Sequence, residues 1–400
     1  MDLASVNNPR SKQTESRNPM CRLTVLLLCG GRATRMRPLS SPDQPKSMVP
    51  FMGRPLLEHL FDLVEENGFS DVVLTSSHPS FQGYLGEGAY TGKLRIRCRQ
   101  PEGSWQGTAA CAREVVRMLG DDVSDPYVVI YGDSLMRFDL AQMVAFHRER
   151  HADATLLYHR PILADFLYEP VEGPEPDEPR TNYGVLDCDD AGAVTSFHEK
   201  PRLRDIGALF RDPRANATAY VVARTVTDKI IVDGFGDFAE HVFPEMISRQ
   251  MRLLGFSIGD GFREDVGTLD RYLQLHLCAL SGALPVPGLT YGRGPHLWVA
   301  NDADVSPNAV LVPPVMIGPR CRVAAGARLD HCCLMSDVHL ESEAVVIRSV
   351  IHPHVHIGSQ SRVTCSVLGD YCRVAAGVTL PAGTVAGAYS IIGDEGIARL

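Results

Sequence analysis

The sequence lacks any long apolar segment near its start. The first apolar run, residues 23–29, is far shorter than the roughly 20 residues that a membrane-spanning helix needs. The residues before this run also lack the layout of a secretory signal peptide, and we interpret residues 1–20 as a disordered tail. We therefore expect a cytoplasmic protein without a membrane partner.

Acidic residues outnumber basic ones, and the cysteines lack the spacing of a metal site. The formal net charge of −9 disfavours a nucleic-acid partner, because such binding depends on Lys and Arg side chains that neutralise phosphates. The 11 cysteines include no CxxC pair, so the sequence indicates neither a zinc site nor a thioredoxin-like redox motif. Scattered, unpaired cysteines are typical of a reducing compartment.

The composition is that of a globular protein, with 44% hydrophobic and 22% charged residues. A chain of 400 residues exceeds what one hydrophobic core usually holds, so we expect two domains. From residue 23 to about 158, short apolar runs alternate with amphipathic segments, which is typical of βαβ units around a parallel sheet. A helix is predicted from about Leu56 to the stop signal Asn67-Gly68. The predicted strands are Leu23–Cys29, Asp71–Thr75, Leu94–Cys98, Tyr127–Tyr131 and Ala154–Tyr158.

A different pattern follows a Pro- and Gly-rich stretch at residues 284–295. Aliphatic residues recur every six positions, a period that neither a helix nor an alternating strand explains. Hexapeptide repeats predict a parallel β-helix, in which the aliphatic residues fill a continuous core. We place the first domain at 21–283, a linker at 284–302, the β-helix at 303–388 and a C-terminal tail at 389–400. The anchors are Val305, Leu311, Ile317, Val323, Leu329, Met335, Ile351, Ile357, Val363, Leu368, Val374 and Leu380.

The first predicted strand ends in a glycine pair that basic residues follow. Glycines at this point allow backbone N–H groups to approach a phosphate closely. Arg35 and Lys46 bracket the loop, and triphosphate chemistry needs fixed cations where negative charge develops. A solvated basic turn is the alternative interpretation. The spacing matches neither a P-loop nor a dinucleotide fingerprint.

Another apolar run, Tyr127–Tyr131, ends in Gly132-Asp133. This order places a carboxylate at the edge of a sheet where the ligands of α/β proteins bind. Alone, the aspartate would be interpreted as a helix cap or a turn residue.

Together these motifs resemble those of the sugar-1-phosphate nucleotidyltransferases, also called NDP-sugar pyrophosphorylases. The family signature, G-G-x-G-T-R followed by P-K-x-M/L-x-P, is similar to residues 30–35 and 45–50, with Ala33 in place of a glycine. The resemblance covers about residues 23–280 and implies an α/β, Rossmann-like domain with a mixed, mostly parallel sheet. A left-handed parallel β-helix is a common attachment in the same family. The resemblance implies nucleotide binding by Cys29, Gly30, Gly31, Thr34, Arg35, Gln100, Gly107 and Thr108.

The resemblance also implies a magnesium site. In the family the aspartate that corresponds to Asp133 binds Mg²⁺, and residues 262–268 resemble the segment W/F-x-D-x-G-T/Q that supplies a second ligand, here Asp265. Two carboxylates, completed by phosphate oxygens and water, suit this hard cation.

The middle of the chain resembles the sugar-binding segments of the family. Residues 183–185 are similar to the Y-G-V turn and residues 197–201 to F-x-E-K-P, although a simple hairpin with an exposed ion pair would look alike. Residues 216–220 resemble N-A-G-x-Y, with Thr218 in place of glycine. The resemblance implies substrate binding by Lys46, Tyr183, Gly184, Glu199, Lys200 and Asn216.

The expected reaction is an in-line attack of a sugar-1-phosphate oxygen on the α-phosphorus of an NTP. It needs no protein nucleophile, because the attacking phosphate is already anionic. Arg35, Lys46 and Asp133 are the expected catalytic residues, and Lys200 adds a further cation. The first domain looks closest to mannose-1-phosphate guanylyltransferases, including the segment Glu240–Pro244, while glucose-1-phosphate thymidylyl- or uridylyltransferases remain alternatives.

Two other functions stay open at this point. The same layout occurs in non-catalytic regulatory or assembly subunits, and some bifunctional relatives carry an acyltransferase in the β-helix. His331, His352, His354 and His356 keep the acyltransferase alternative open. We expect the last three on one face of an extended segment, at the β-helix surface or in a subunit contact. A homo-oligomer formed through the β-helix is also expected.

Overall fold

The computed structural model describes residues 23–30, 34–41, 44–76, 78–86, 90–101, 107–161, 180–230, 236–286, 296–393 and 395–399. No helix in these ranges is long and apolar enough to cross a membrane. Every cysteine in them is free of a disulfide bond. Outside the described residues lie the expected tail at 1–20, most of the segment 284–295, and Gly31, which was expected to bind nucleotide.

Short strands dominate the first two thirds of the chain. The five predicted strands are confirmed to within one residue at each end. The strands are β1 (Thr24–Leu28), β2 (Pro50–Phe51), β3 (Arg54–Pro55), β4 (Asp71–Leu74), β5 (Arg95–Cys98), β6 (Tyr127–Tyr131), β7 (Ser134–Arg137), β8 (Ala154–His159), β9 (Val185–Cys188), β10 (Val194–His198), β11 (Arg214–Val222), β12 (Leu253–Ser257) and β13 (Phe262–Asp265).

The helices of this part are mostly short. The first ends where the sequence predicts, before Gly68, whose φ of 79° lies in the left-handed region that a glycine adopts at a helix end. The helices are α1 (Leu56–Glu66), α2 (Pro79–Gly86), α3 (Thr108–Leu119), α4 (Leu140–Glu149), α5 (Ile206–Leu209), α6 (Arg224–Ile230), α7 (Phe243–Ser248) and α8 (Leu269–Ser281).

The largest sheet is mixed and has nine strands in the described residues. β6, β1, β4 and β5 are parallel neighbours in that order, and β11 joins β6 in the antiparallel direction. All five residues of β1 are buried, as expected for a parallel strand that is covered on both faces. The predicted Rossmann-like sheet is confirmed.

The chain divides into two compact units that are discontinuous in sequence. The first unit consists of the chain up to Gly30 together with Leu60–Gly132 and Met136–Glu264, and it contains the nine-stranded sheet. The second unit consists of Gly31–His59, Asp133–Leu135 and Asp265–Leu400. Two segments from the N-terminal half therefore belong to the same unit as the C-terminal strands.

The C-terminal strands form two stacks of parallel neighbours, so the predicted β-helix is confirmed. Early in the stack, paired residues such as Asp304 and Arg322 are separated in sequence by three hexads. Later pairs, such as His339 and His356, are separated by one residue fewer. The shorter coils explain why the six-residue period slips. The strands are β14 (Leu297–Val299), β15 (Asp304–Val305), β16 (Val310–Ile317), β17 (Arg322–Val323), β18 (Arg328–Leu334), β19 (His339–Leu340), β20 (Val345–Ile347), β21 (Val350–Ile351), β22 (His356–Ile357), β23 (Arg362–Thr364), β24 (Val367–Leu368), β25 (Arg373–Val374), β26 (Val385–Ala386), β27 (Ser390–Gly393) and β28 (Gly396–Arg399).

Strand pairing extends into both segments that flank the predicted β-helix. β14 lies in the segment expected as a linker and pairs with β16. β27 lies in the expected C-terminal tail and pairs with β25, while β28 folds back on β27 in the antiparallel direction. Most predicted anchors are buried, and Leu340 and Val346, which the sequence pattern missed, are buried with them.

The predicted arrangement of three histidines on one extended face is wrong. A turn separates β21 from β22 and breaks the alternation, since His354 has a φ of 61°. His352 is buried, whereas the ring of His354 stacks on Tyr371 at 4.5 Å. His356 lies 3.1 Å from the Glu341 carboxylate.

Candidate active site

Two predicted site residues, Cys29 and Gln100, follow parallel strands of the first unit. β1, β4 and β5 run in the same direction, so Cys29, Thr75 and Gln100 lie beyond their carboxyl ends at one edge of the sheet. The backbone N–H of Cys29 donates to Oγ1 of Thr75 at 3.3 Å, which fixes the start of the glycine turn.

Gly132 allows the carboxyl ends of β1 and β6 to lie close together. Its backbone N–H donates to the Leu28 carbonyl at 3.0 Å. A Cβ atom at this position would lie 2.7 Å from the Cys29 Sγ atom, so a larger residue would force the two strand ends apart. The chain passes from this glycine directly into Asp133.

Within the second unit, one ammonium group contacts both predicted metal-binding carboxylates. Lys46 lies in a short 3-10 helix, Lys46–Met48, and its Nζ atom lies 3.0 Å from Oδ2 of Asp133 and 3.0 Å from Oδ1 of Asp265. The two carboxylate oxygens can therefore be no further apart than twice that distance. The Lys46 side chain is 12% exposed, against 45% for Asp133 and 30% for Asp265, so the cluster opens to solvent on its acidic side.

Local structure holds Asp265 in this position. It ends β13, and Gly267 follows, where an added Cβ atom would lie 3.0 Å from the Asp265 Oδ2 atom. Thr268 then caps α8, because its side chain accepts a hydrogen bond from the backbone N–H of Arg271 at 3.3 Å. Gly267 and the Thr268 cap together explain the order Asp-Val-Gly-Thr at residues 265–268.

The two aspartates have the chemistry of a divalent-cation site. Their oxygens converge on one positive charge, and a hard divalent cation prefers carboxylate oxygens. The described residues contain no group of three or more His, Cys, Asp or Glu side chains that could hold a metal ion. A cation bound by these carboxylates would take its other ligands from substrate phosphate oxygens and water, as Mg²⁺ commonly does.

The basic loop of the second unit starts with a second short helix. Thr34 and Arg35 lie in the 3-10 helix Thr34–Met36, where both side chains are exposed and Met36 is buried. The backbone N–H of Leu39 donates to the Met36 carbonyl at 2.9 Å. The buried methionine thus anchors a turn that presents Arg35 outwards.

Gly107 is required by close packing in the first unit. Its φ is 98°, and an added Cβ atom would lie 2.3 Å from the Gly236 carbonyl oxygen. Thr108 begins α3, and its hydroxyl donates to Asp237 at 2.7 Å while it accepts from Tyr131 at 2.9 Å. The hydroxyl of Thr108 is therefore engaged with protein groups.

Two tyrosines, Tyr131 and Tyr220, bond to Thr108 and Asn216 respectively inside the first unit. Burial raises the pKa of Tyr131 and of Tyr220 above the usual value, so both hydroxyls stay protonated, and the two rings contact edge to face with centroids 5.9 Å apart. The amide of Asn216 donates to the Tyr220 hydroxyl at 2.9 Å. Sequence reasoning missed Asp237 and the two tyrosines. An aspartate directly before a helical segment is the signal that could have identified Asp237, since it caps residues Phe238–Val242.

Gly184, Glu199 and Asn216, three of the residues expected to bind substrate, lie close together. The Gly184 carbonyl accepts from the backbone N–H of Asn216 at 2.8 Å, and an added Cβ atom on Gly184 would lie 2.7 Å from Oε2 of Glu199. Burial raises the pKa of the Glu199 carboxyl to about 7, and the positive charge of Lys200 opposes that rise. Lys200 itself is exposed, with its Nζ atom 3.8 Å from the Glu199 carboxylate.

Tyr183 precedes this group and packs against an arginine. The guanidinium carbon of Arg263 lies 4.6 Å from the centre of the Tyr183 ring, which is a cation–π contact. Arg263 was not identified from the sequence, because a single arginine in a strand carries no distinguishing pattern.

Two family models match the chain. Residues 24–281 match the family model described as nucleotidyl transferase, and residues 294–394 match the model described as GMPPB C-terminal domain. The first match covers more than half of the chain and includes the glycine turn, Lys46 and both aspartates. Members of this family generally use a divalent metal ion.

Curated relatives align along most of their length. A mannose-1-phosphate guanylyltransferase of Mycobacterium tuberculosis is 30% identical over 81% of this chain and 83% of its own. A probable mannose-1-phosphate guanylyltransferase 2 of Arabidopsis thaliana is 29% identical over 87% and 91%. A UTP–glucose-1-phosphate uridylyltransferase of Synechocystis is 26% identical over 88% of both chains. The chain therefore belongs to the nucleotidyl transferase family, among enzymes that join a nucleotide to a sugar 1-phosphate.

Proposed function

We propose that this chain transfers a guanylyl group from GTP to mannose 1-phosphate and releases pyrophosphate. Two relatives, 29% and 30% identical to this chain, are named for that reaction. A glucose 1-phosphate acceptor with another NTP is the second candidate, supported by the relative that is named a UTP–glucose-1-phosphate uridylyltransferase.

The observation that carries the proposal is the convergence of Asp133 and Asp265 on the Lys46 ammonium. We assign both carboxylates to Mg²⁺ binding. A bound Mg²⁺ would neutralise phosphate charge and favour in-line displacement at the α-phosphorus. Lys46 would then be free to contact phosphate oxygens of a substrate, because the metal would compete for its carboxylate partners.

We assign neutralisation of the remaining negative charge on the phosphates to basic residues. Arg35 is exposed on its short helix beside the glycine turn, a position that suits contact with the triphosphate. Backbone N–H groups of Gly30, Gly31 and Thr34 would hold phosphate oxygens. No protein nucleophile is needed, since positioning and charge neutralisation are the main requirements of phosphoryl transfer.

We assign sugar recognition to the group around Gly184. Glu199 would accept a hydrogen bond from a sugar hydroxyl, and the exposed ammonium of Lys200 would bind the sugar phosphate. Tyr183 would form one wall of this pocket. Asn216 is bonded to Tyr220 and to the backbone of Thr218, so its role would be to hold the Gly184 segment in place.

We assign the nucleobase to the edge that carries Gln100, Gly107 and Thr108. Gln100 is exposed, and its amide has the donor and acceptor that a base edge requires. The backbone of Gly107 would pass close to the base because the residue has no side chain. The Thr108 hydroxyl is engaged with Asp237, so this residue would contribute through its backbone.

A matrix of NTPs and sugar 1-phosphates, assayed for pyrophosphate release with Mg²⁺, tests the proposal. GTP with mannose 1-phosphate should have the highest kcat/KM, by at least tenfold over other pairs. Preference for glucose 1-phosphate would select the second candidate. A chain that is inert toward every pair would favour the non-catalytic subunit, and turnover of acetyl-CoA would support acyl transfer in the β-helix.

We also propose that the protein works in the cytoplasm and assembles through its β-helix. The absence of disulfide bonds among the described cysteines suits a reducing compartment. Tyr371, Tyr389, Ile391 and Ile397 are exposed apolar side chains of the β-helix, and such surfaces often lie in subunit contacts. Sedimentation analysis before and after the change Tyr389→Ser would detect an assembly that depends on this surface.

A further inference from the structure

A buried tyrosine in α8 connects three parts of the second unit. Tyr272 is 1% exposed and lies one turn after Thr268, which caps the helix that follows Asp265. Its hydroxyl donates to the backbone carbonyl of Pro50, four residues after Lys46. The same hydroxyl lies 2.8 Å from Nε2 of His352.

His352 belongs to the β-helix and is itself buried, with 2% exposure. Its Nδ1 atom lies 2.9 Å from Oδ1 of Asp370, one coil further along. Asp370, His352, Tyr272 and Pro50 therefore form one continuous chain of hydrogen bonds. The chain begins in the β-helix and ends on the backbone of the segment that carries Lys46.

The hydrogen-bond roles in this chain follow from the number of available protons. A tyrosine hydroxyl has one hydrogen, and here it goes to Pro50, because a carbonyl can only accept. Nε2 of His352 must therefore donate to Tyr272. Since Nδ1 faces the Asp370 carboxyl, this bond too needs a proton, carried by one member of the pair. Asp370 thus holds the His352 ring from its other side and fixes its orientation toward Tyr272.

His276 supplies a second connection from α8 to the same segment. Its Nε2 atom accepts from the backbone N–H of Met52 at 3.2 Å, and its Nδ1 atom lies 2.9 Å from the Tyr272 carbonyl. Burial lowers the pKa of His276 to about 3, so the ring is neutral and Nε2 remains an acceptor. The backbone is therefore held on both sides of Phe51.

The held segment leads directly to Lys46. The backbone N–H of Val49 donates to the Lys46 carbonyl at 3.0 Å, and that of Met48 donates to Pro45 at 2.8 Å. One short helical turn lies between the Pro50 carbonyl and Lys46, whose ammonium contacts both aspartates. A shift at Pro50 would be passed to that ammonium.

We propose that Tyr272, His352 and Asp370 are positioning residues for the transfer reaction. Through them the β-helix holds the Lys46 segment and the start of α8, and so keeps Lys46 aligned with Asp265. This inference rests on the catalytic roles proposed for Lys46 and Asp265. The β-helix thereby contributes to catalysis without a residue that touches substrate.

The change Tyr272→Phe tests the proposal, because it removes the hydroxyl and keeps the ring. We expect kcat to fall about tenfold while the KM for each substrate changes less than twofold, since misalignment affects the reacting groups more than remote binding contacts. Amide hydrogen exchange at Val49 and Met52 should become faster. Exchange at Arg373, in β25, should not change.

Matched pairs of substitutions at His352 and Asp370 separate a positioning role from a general loss of structure. His352→Gln keeps a side-chain N–H that can donate to Tyr272, whereas His352→Leu removes it. Asp370→Asn can donate to Nδ1 of a neutral His352, whereas Asp370→Leu cannot. We expect the Gln and Asn variants to retain most of kcat and both Leu variants to lose about tenfold. Tyr127→Phe, which removes a buried hydroxyl bonded to Thr227 in the first unit, is the control.

Lys46→Ala and Tyr272→Phe together distinguish a failure of the assigned active site from a failure of the positioning role. If Lys46→Ala keeps full activity, the assigned active site is wrong and this inference falls with it. If Lys46→Ala is inactive while Tyr272→Phe keeps the wild-type kcat and exchange rates, the positioning role alone is overturned. Equal kcat for the Gln and Leu variants at position 352 would also contradict it. Should the Leu variants fail to fold, Tyr272→Phe still decides, because it makes no cavity.

Discussion

The Nζ atom of Lys46 lies 3.0 Å from Oδ1 of Asp265, although 219 positions separate the two residues in sequence. Asp133 contacts the same ammonium, so a positive charge already occupies the point at which a divalent cation would be attracted. Lysine and metal are therefore expected to compete for the two carboxylates.

This competition predicts opposite effects of one substitution on binding and on turnover. Lys46→Met removes the competing charge, so without substrate the affinity for Mg²⁺ should rise several-fold. Turnover should nevertheless fall by at least a hundredfold, because a cation that neutralises the phosphates is lost. Isothermal titration with Mg²⁺ and an assay of pyrophosphate release measure the two effects. Weaker metal binding by the variant would contradict the arrangement, and Lys93→Met, at an exposed loop position, is the control.

The two aspartates should be individually necessary for metal-dependent turnover. Asp133→Asn and Asp265→Asn keep the shape but remove a charge, and each should lower kcat/KM by at least a hundredfold with little change in Tm. Steady-state kinetics over a range of Mg²⁺ concentrations, with Asp190→Asn in an exposed turn as the control, would check this. Near-normal activity in either variant would contradict this prediction, and near-normal activity in both would refute the metal assignment.

Glu199 should make stability and sugar binding depend on pH in opposite directions. Its folded-state pKa, about 7, is raised above the ordinary value of 4.5 by burial. The folded state therefore gains stability from the protonated form below about pH 4.5, and this gain is lost as the pH rises through 7. Glu199→Gln cannot ionise, so at pH 8 it should be more stable than the wild type by about 2 kcal/mol, and at pH 5 by much less.

Ionisation of Glu199 should also strengthen binding of the sugar phosphate. A carboxylate accepts hydrogen bonds from sugar hydroxyls more strongly than a protonated carboxyl does, so the KM for the sugar phosphate should fall as the pH rises through 7. Glu199→Gln should have a higher KM that no longer changes across this range. Thermal unfolding and kinetics at pH 5 to 8 test both effects, and a pH-independent difference in Tm would show that Glu199 does not titrate there.

Thr218 occupies a backbone conformation that suits glycine. Its φ is 57°, and its buried hydroxyl makes no hydrogen bond in the part of the chain that the structure describes. Thr218→Gly should raise the free energy of unfolding by about 1 kcal/mol, because relief of left-handed strain exceeds the entropy cost of glycine. Urea unfolding measures the change. Thr195→Gly, in β10, should instead lower stability, and a loss of stability at both positions would contradict the strain argument.

The sequence predicted features that depend on short stretches of chain. The five strands, the end of α1 at Gly68 and the six-residue repeat each arise from local steric preferences and from alternation of apolar residues. The assignment of Asp133 to the end of an apolar strand belongs to the same class. A motif order shared with a known family extended this reasoning to Asp265 and Glu199.

Other features could not be inferred in this way. The six-residue pattern overlooked Leu340 and Val346, because coils of unequal length shift the phase of the repeat. His352, expected at a surface, is buried because a turn interrupts the extended segment. The roles of Tyr131, Tyr220 and Asp237 depend on hydrogen bonds between distant segments, and a single buried tyrosine carries no signal of its partner.

The sequence by itself therefore determined the two architectures, the family and the identity of most chemical groups, since these follow from local periodicity and from motifs. Only the tertiary structure decided that Lys46 lies between Asp133 and Asp265 and that Tyr272 connects His352 to Pro50. The physical reason is that hydrogen bonds and ion pairs depend on distances of about 3 Å between atoms, and chain folding rather than sequence spacing sets those distances.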